Sequence, residues 1–526
     1  MGTIKNETVT HEQWAVLQEA FDVQIEASPF IAYTGAACPA PCEDACTEGI
    51  PDIRGTTSAE RGEKIIGTPV HIKDIEYALY HIGRTKGWFD AHFKKSNHIL
   101  DKKIMIVGSG PAAMQIAYEA LRDGVQVIMY ERADKPGGLL MDGIPAHKFK
   151  KEYIAEDFAR LKKMGLILII NSEISYDEIN GDYHCKNIKN GTDTIVGNSS
   201  DHNQHVVLCV GATPRKFSDK ITQGVGKAHK NKIVQAVDFL KAANDIAEAL
   251  EMHPALSMNE REKLLKEKLG SMDPRNKKIV VVGGGDTAQD IIRWISRYFY
   301  PANDRGTLCV LARGPQPVGR AIFDRYPAIS RALTAENKLR DAEVEFINGN
   351  TSYLIEPTEI NVCGEKLKIV IKESHYRYHD EIENDLDAKR LQDLIPREMR
   401  QVDDKRTIEH EINEVEMVIC ALGFEEKSSA PLVKATEGLK ESVTLAGDAS
   451  ASKESGAKSK IIVAAQAQAS DVYRNRIRDL LGLVDKSSPI NEPIVVRQSV
   501  VGHASMFKKR KKEIYTSIPV PNVKDF

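Results

Sequence analysis

The 526-residue chain predicts an α/β fold of parallel strands and crossover helices. Three glycine-rich nodes predict it, each preceded by a short apolar run that reads as a buried strand. Two of the nodes lead into a helical stretch and then a second apolar strand, the β-α-β order of a nucleotide-binding unit. At 42% hydrophobic and 28% charged residues the composition is globular, and the length suffices for two or three cores.

Taken in order, the N-terminal stretch MGTIKNETVTHEQW lacks an apolar targeting core. No segment reaches the ~20 uncharged apolar residues of a membrane span, so a cytoplasmic location without membrane attachment is expected. A net charge of -3 argues against nucleic acid as a partner. The basic runs Lys148 to Lys151 and Phe507 to Glu513 read as solvated faces. Eight cysteines are too few for a disulfide scaffold in so long a chain. Cys185, Cys209, Cys309, Cys363 and Cys420 stand singly, and those in apolar runs read as small core residues. The phrase Cys38-Pro-Ala-Pro-Cys42-Glu-Asp-Ala-Cys46 sets three cysteines four residues apart. That spacing is open to an iron–sulfur site, a disulfide or the remnant of a larger site.

The first node is Lys103-Ile-Met-Ile-Val-Gly108-Ser-Gly110-Pro-Ala-Ala113, followed by a helical stretch to Arg122 and a strand, Val125 to Tyr130, that ends in Glu131. Gly108 suits the tight turn, Gly110 lets backbone approach a pyrophosphate, and a small residue at 113 lets helix and strand pack closely. Phosphates then sit on the helix N-terminus, where unpaired N–H groups and the dipole favour an anion. Glu131 can accept hydrogen bonds from a ribose diol. This is a Rossmann-like unit.

The second node is Lys278-Ile-Val-Val-Val-Gly283-Gly-Gly285-Asp286-Thr287-Ala288, with a helix to about Arg297 and a strand, Thr307 to Ala312, that ends in Arg313 with Arg320 beyond. A guanidinium at this tip pairs with a 2′-phosphate that an acid would repel, which favours NADPH over NADH; read alone, Arg313 is also consistent with a surface charge. The third node comprises Glu416 to Phe424 and Val443-Thr-Leu-Ala-Gly447-Asp448. An aspartate at a strand end before a helix can accept from a sugar hydroxyl, although Gly-Asp alone also reads as a turn. Residues 241–276, charged and helix-rich, and 371–414, charged and poor in large apolar residues, read as surface insertions or linkers.

Two dinucleotide nodes with a Gly-Asp node after them suggest a flavoprotein that moves hydride from a nicotinamide to a flavin. At this point the sequence resembles the small (beta) subunit of NADPH-dependent glutamate synthase and its relatives. The matching phrases are the CPAPCEDAC stretch, Pro69 to Glu76, Gly108 to Ala113, Pro136-Gly-Gly138-Leu139-Leu-Met-Asp-Gly-Ile-Pro145, Gly211-Ala-Thr-Pro-Arg215, Gly283 to Ala288 and Ala446-Gly-Asp448. The resemblance covers about residues 30 to 475. It implies a helical N-terminal domain over 1–100, an FAD domain in two pieces over 101–232 and 415–480, an NADPH domain inserted over 233–414, and a C-terminal extension over 481–526. It further implies that Gly108, Gly110, Pro111, Ala112, Glu131, Gly138, Leu139, Gly447 and Asp448 line FAD, and that Gly283, Gly285, Asp286, Thr287 and Arg313 bind NADPH. No side chain is expected to be an obligatory acid or base.

The resemblance has departures. Ala113 stands where the family usually has glycine, and the stretch from Ala449 to Ala465 is longer and more polar than usual, which leaves contacts of Lys460 and Ile461 unassigned. The family builds two 4Fe-4S clusters by joining an upstream cysteine group to the CPAPC group, and no cysteine precedes Cys38. Two clusters need about eight ligands; Cys38, Cys42, Cys46 and Glu76 make four, so two clusters from this chain alone are excluded. No cluster, one cluster with an unusual ligand, and clusters completed by a partner chain stay open. The expected activity is transfer of hydride from NADPH to FAD and of electrons to a redox partner protein or a small acceptor, without the amidotransferase chemistry of a large subunit. A ferredoxin- or adrenodoxin-reductase-like enzyme and a non-catalytic flavin-binding regulatory subunit are the alternatives; a thioredoxin-reductase-like enzyme is disfavoured because the chain has no CxxC. Oligomeric state is left open.

Overall fold

In this computed structural model the described residues are 9–38, 40, 43, 70–295, 306–313, 338–339, 342–348, 353–376, 402–425, 430–449 and 462–483. The apolar runs at the head of each node form strands. The first part of the chain supplies β1 (Lys103–Val107), β2 (Gln126–Tyr130), β3 (Ile167–Ile169), a meander of β4 (Ser172–Asp177), β5 (Asp182–Asn187) and β6 (Asp193–Asn198), and β7 (Gln204–Leu208). The second part supplies β8 (Ile233–Gln235), β9 (Lys278–Val282), β10 (Thr307–Ala312), β11 (Lys338–Leu339), β12 (Ala342–Asn348), β13 (Tyr353–Cys363), β14 (Lys366–Tyr376), β15 (Val402–Val415), β16 (Met417–Cys420) and β17 (Val443–Leu445).

These strands make two parallel sheets. One has the order β17-β7-β1-β2-β3 and the other β11-β12-β10-β9-β16-β8, with only the short β11 antiparallel to its neighbour. In both, the strand before the glycine turn sits centrally, β1 between β2 and β7, and β9 between β10 and β16. That is the topological switch point of an open α/β sheet, where the crevice at the carboxyl ends of the strands takes a ligand. The late strand β17 returns to the first sheet through β7. The strand β16, assigned by the sequence reading to the second piece of the FAD domain, instead pairs with β8 and β9 of the second sheet. A four-residue apolar run carries no mark of which sheet it will complete.

The segment 371–414, read as a linker, begins and ends in β14 and β15 of a three-stranded antiparallel sheet with β13. Its charges hid the strands because only alternate residues face inward, as with Ile371 and Ile412. Residues 241–276 are helical over Ala236–Met252 and Met258–Leu269, the second capped by Ser257 and Glu260 in a reciprocal capping box. The helices His11–Ala27, Ile31–Ala37 and Ile72–Lys86 share one core with the first sheet: Phe21, Phe30, Tyr33 and Tyr80 pack with Tyr118, Phe149 and Tyr153. Cys209, Cys309 and Cys420 are buried, as their apolar runs predicted; Cys185, between His184 and Lys186, is buried as well, and Cys363 is exposed.

The run Lys148 to Lys151 departs furthest from the solvated face expected of it. Lys148 pairs with Asp290 on the helix Asp286–Trp294, and Phe149 is buried. Lys151 donates to the Leu140 and Ile144 carbonyls, both at 2.5 Å. Around it, Asn244 donates to the carbonyls of Met141, Asp142 and Ile144 and accepts from the Ala146 N–H at 2.9 Å, while Lys135 pairs with Asp245 and Glu248. A strap over 135–151 is thus tied to the helix Ala236–Met252 of the second unit. Burial pushes the Lys151 ammonium down to about 7. An unfolded lysine titrates near about 10.4, so between these values the unfolded chain binds more protons and stability rises with pH. Urea unfolding at fixed ionic strength from pH 7 to pH 10 is expected to show that rise, and Lys151→Met to flatten it.

Candidate dinucleotide-binding sites

At the end of β1 the chain turns through Gly108 with φ of +101°, and a Cβ there would stand 2.4 Å from the Cys209 carbonyl oxygen. Both neighbours grip this turn: Gly108 N–H donates to the Tyr130 carbonyl and Cys209 N–H to the Val107 carbonyl, each at 2.8 Å. Gly110 is the N-cap of the helix Pro111–Arg122, Pro111 occupies its first turn, and among the described residues, chain neighbours and the helix backbone aside, no heavy atom lies within 4 Å of where a Gly110 Cβ would be. The first turn carries no acid, so its N–H groups and dipole face an open space that admits an anion.

Two further segments close on this helix end. A Cβ on Gly138, φ +55°, would lie 3.2 Å from Gly110 Cα, and Leu139 starts the short helix Leu139–Asp142. A Cβ on Gly447, φ +65°, would meet the Ala112 Cβ at 2.6 Å, which sets Asp448 beside the same helix; the Gly447 N–H donates to Gln468 Oε1 at 2.5 Å. Gly108, Gly110, Pro111, Ala112, Gly138, Leu139, Gly447 and Asp448 therefore converge, although Asp448 is more than 300 residues from Gly110.

Glu131 follows β2 and is already oriented. Its carboxylate accepts from the Ser109 hydroxyl and, at 2.7 Å, from the Ala133 N–H. Ser109 is 1% exposed, and its Oγ also accepts from the Gly137 N–H at 2.9 Å. The sequence reading missed Ser109, which it passed over as the variable residue between two glycines. A hydroxyl between a glycine turn and an acid on the next strand was the available signal.

The second site repeats the first. Gly283 has φ of +133°, and its Cβ would stand 2.2 Å from the Ala421 carbonyl oxygen. Gly283 N–H donates to the Leu311 carbonyl at 2.9 Å and Ala421 N–H to the Val282 carbonyl at 2.8 Å, the same two grips. Gly285 caps the helix Asp286–Trp294 and has open space around it, with Asp286 and Thr287 in the first turn. Here an acid does occupy the first turn. Arg313, directly after β10, is 71% exposed in its side chain and pairs with Glu356 of β13 through Nε at 2.8 Å; Arg320 lies outside the described residues.

Between the two sites the phrase Gly211 to Arg215 meets the Leu422-Gly-Phe end of the third node. Pro214 bridges Phe424, Arg215 N–H donates to the Gly423 carbonyl at 2.9 Å, and Glu425 N–H donates to the Thr213 carbonyl at 2.8 Å. A cleft lined by Pro214, Gln235, Val237, Thr287, Gly423 and Phe424 opens on this clamp.

Of the cysteine motif, Cys42 and Cys46 lie outside the described residues, as do Lys460 and Ile461. Cys38 is buried at the end of the helix Ile31–Ala37, and its Sγ accepts from the Ala40 N–H at 3.4 Å. That helix crosses the helix Ile72–Lys86 closely: a Cβ on Gly35 would be 2.6 Å from the Tyr77 nitrogen. Glu76, beside this crossing, accepts from Gln24 at 3.0 Å, and burial raises its pKa. Among the described residues no group of three His, Cys, Asp or Glu side chains is arranged to hold a metal ion, and no helix is long and apolar enough to cross a membrane.

Two glycine turns at the switch points of two parallel sheets, with an acid at the tip of one second strand and a guanidinium at the other, suit FAD and a pyridine nucleotide and define a flavoprotein oxidoreductase. The profile of the pyridine nucleotide-disulphide oxidoreductases matches residues 102–386, and the chain belongs to that family. It is 26% identical over 430 residues to the glutamate synthase [NADPH] small chain of Bacillus subtilis, covering 82% of this chain and 72% of that one. To the glutamate synthase [NADH] of Saccharomyces cerevisiae it is 30% identical over 292 residues, 55% of this chain but 11% of that protein. Among solved structures, FprA of Mycobacterium tuberculosis in complex with NADPH aligns with a TM-score of 0.47 at 14% identity, covering 78% of this chain and 91% of that one.

Because Ser109 serves both Glu131 and Gly137 from a buried position, Ser109→Ala is expected to weaken FAD binding about tenfold through loss of a satisfied buried network. Flavin retention on dialysis against graded urea measures it, with unchanged retention as the contrary result. Gly108→Ala, which drives a Cβ into a backbone carbonyl at a positive φ, is expected to yield protein purified without flavin and several kcal/mol less stable.

Proposed function

We propose that this chain oxidises NADPH and delivers the electrons to a redox partner protein or a small acceptor, in the manner of a glutamate synthase small chain. FAD, when bound, supplies the hydride-accepting chemistry. The observation that carries the reading is the duplicated turn with unlike surroundings: Glu131 and no acid in the helix first turn at one copy, Arg313 and Asp286 at the other.

The difference in charge separates a resident cofactor from an exchanging one. At the first copy the helix end meets the pyrophosphate with uncompensated N–H dipoles, and the segments around Gly138 and Gly447 close over it, which suits a group that stays. At the second, the Asp286 carboxylate already complements the helix dipole and lessens its pull on an anion, which suits a coenzyme that must leave after each turnover. Arg313 restores selectivity at the far end by pairing with a 2′-phosphate. The clamp between Gly211–Arg215 and Gly423–Phe424 joins the two units beside Thr287 of the second site. In this reading Gly108, Gly110, Pro111, Ala112, Glu131, Gly138, Leu139, Gly447 and Asp448 hold FAD, and Gly283, Gly285, Asp286, Thr287 and Arg313 hold NADPH.

The family's disulphide chemistry needs a close cysteine pair near the flavin, and the chain has no CxxC. Electrons are therefore assigned to an external acceptor. In an anaerobic cuvette the purified flavoprotein is expected to lose its visible flavin absorbance on addition of NADPH, and oxidised flavin persisting with excess NADPH sinks the proposal. An iron assay on the same sample counts any cluster at Cys38, Cys42 and Cys46. Arg313→Gln is expected to raise KM for NADPH about tenfold while changing that for NADH far less.

A further inference from the structure

Arg313 does not meet a coenzyme with its charge unopposed. The Ile355 N–H donates to the Arg313 carbonyl at 3.4 Å, and Ile355 is buried in the core that contains Cys309, Leu311, Val280 and Val282. Backbone and core together fix the start of β13 against the end of β10, and the next residue, Glu356, meets the guanidinium at 2.8 Å. Both side chains are largely exposed, at 71% and 45%, so the ion pair itself contributes little to folding. The site has a third member: Lys372 is the register partner of Glu356 in the adjacent strand β14, on the same face of that sheet. Lys372 is in turn the register partner of Glu409 in β15, so along this row of the sheet it stands between two carboxylates, and Arg313 meets Glu356 at the row's end.

We infer that Glu356 is a specificity-determining residue that opposes Arg313, lowering the preference for NADPH over NADH and admitting both coenzymes. This rests on the assignment of Arg313 to the coenzyme made above. A carboxylate held at the tip of the second strand is the chemistry that accepts from the 2′-hydroxyl of NADH. The same carboxylate repels the nearly dianionic 2′-phosphate of NADPH and occupies the guanidinium that would bind it. Removing its charge frees Arg313 to pair with the phosphate. At ~6 Å in water-like surroundings a carboxylate acting on a phosphate of about two charges alters the binding ratio about tenfold.

The test uses the full-length FAD-loaded protein, Glu356→Gln, Arg313→Gln and the double variant. Two quantities are read: the ratio of kcat/KM for NADPH to that for NADH, and, by calorimetry without turnover, the ratio of affinities for adenosine 2′,5′-bisphosphate and 5′-AMP. Glu356→Gln, isosteric and on an exposed face, is expected to raise both ratios about tenfold. In the Arg313→Gln background the same change is expected to raise them less, since no guanidinium is left to be freed and only the repulsion is relieved. Unchanged or lowered ratios in Glu356→Gln, with Arg313→Gln still lowering them, overturn the inference and leave the coenzyme assignment standing. If Arg313→Gln also leaves both ratios where they were, the assignment of Arg313 fails and the inference fails with it.

Discussion

The architecture depends on one steric constraint met twice. A central strand ends in a glycine whose α-hydrogen faces the carbonyl of the neighbouring strand, Cys209 against Gly108 and Ala421 against Gly283, at a separation that leaves no room for a side chain. Because the φ there is positive and the space is filled by backbone, the position is closed to every other residue on two counts. The turn sends the chain into a helix whose first N–H groups point at the crevice between strands, so the anion site exists before any ligand arrives. The backbone bonds from Gly108 to Tyr130 and from Gly283 to Leu311 register the second strand to the turn, and with it the residue at the strand tip, Glu131 in one unit and Arg313 in the other.

Everything distinctive about the two copies is then added by side chains at those fixed places. Ser109 and Glu131 join the glycine turn of the first unit to its second strand and to the strap that begins at Gly137. In the second unit the matching tip carries Arg313, and Glu356 beside it comes from the three-stranded sheet β13-β14-β15. One backbone plan thus carries two differently charged surroundings, and under the proposed function these separate a retained group from an exchanging coenzyme.

The strap over 135–151 shows how the units are joined. Its Gly138 approaches Gly110 at the first site, while Lys135, Lys148 and the carbonyls of Met141, Asp142 and Ile144 engage acids and Asn244 of the second unit, and Lys151 ties the strap to its own Leu140 and Ile144 carbonyls. Asp290 is buried, which raises its pKa, while Lys148 beside it pulls the other way. A polar interface of this kind carries its specificity in geometry, since each buried group pays a desolvation cost that only its own partner offsets. It ties the closure of the first site to the position of the helix that begins at the second.

The sequence by itself determined the local plan. Glycine spacing, the apolar runs before each node and the residues at the strand tips are set by backbone sterics and period-two burial, both of which act within a few residues. It also led to the family, since the phrases from Gly108 to Asp448 keep their order. Only the tertiary structure decided which sheet β16 completes, that Lys148 and Lys151 face inward, that 371–376 and 402–414 are strands, and that Ser109 meets Gly137, Asn244 meets Ala146 and Glu356 meets Arg313. Each of these turns on a partner far away in the chain: Asp290 lies 142 residues from Lys148, and Glu356 lies 43 from Arg313. A charge or hydroxyl looks the same in sequence whether it ends in water or in a pair. Burial and pairing are properties of the packed chain, and they are what turn two copies of one turn into two different sites.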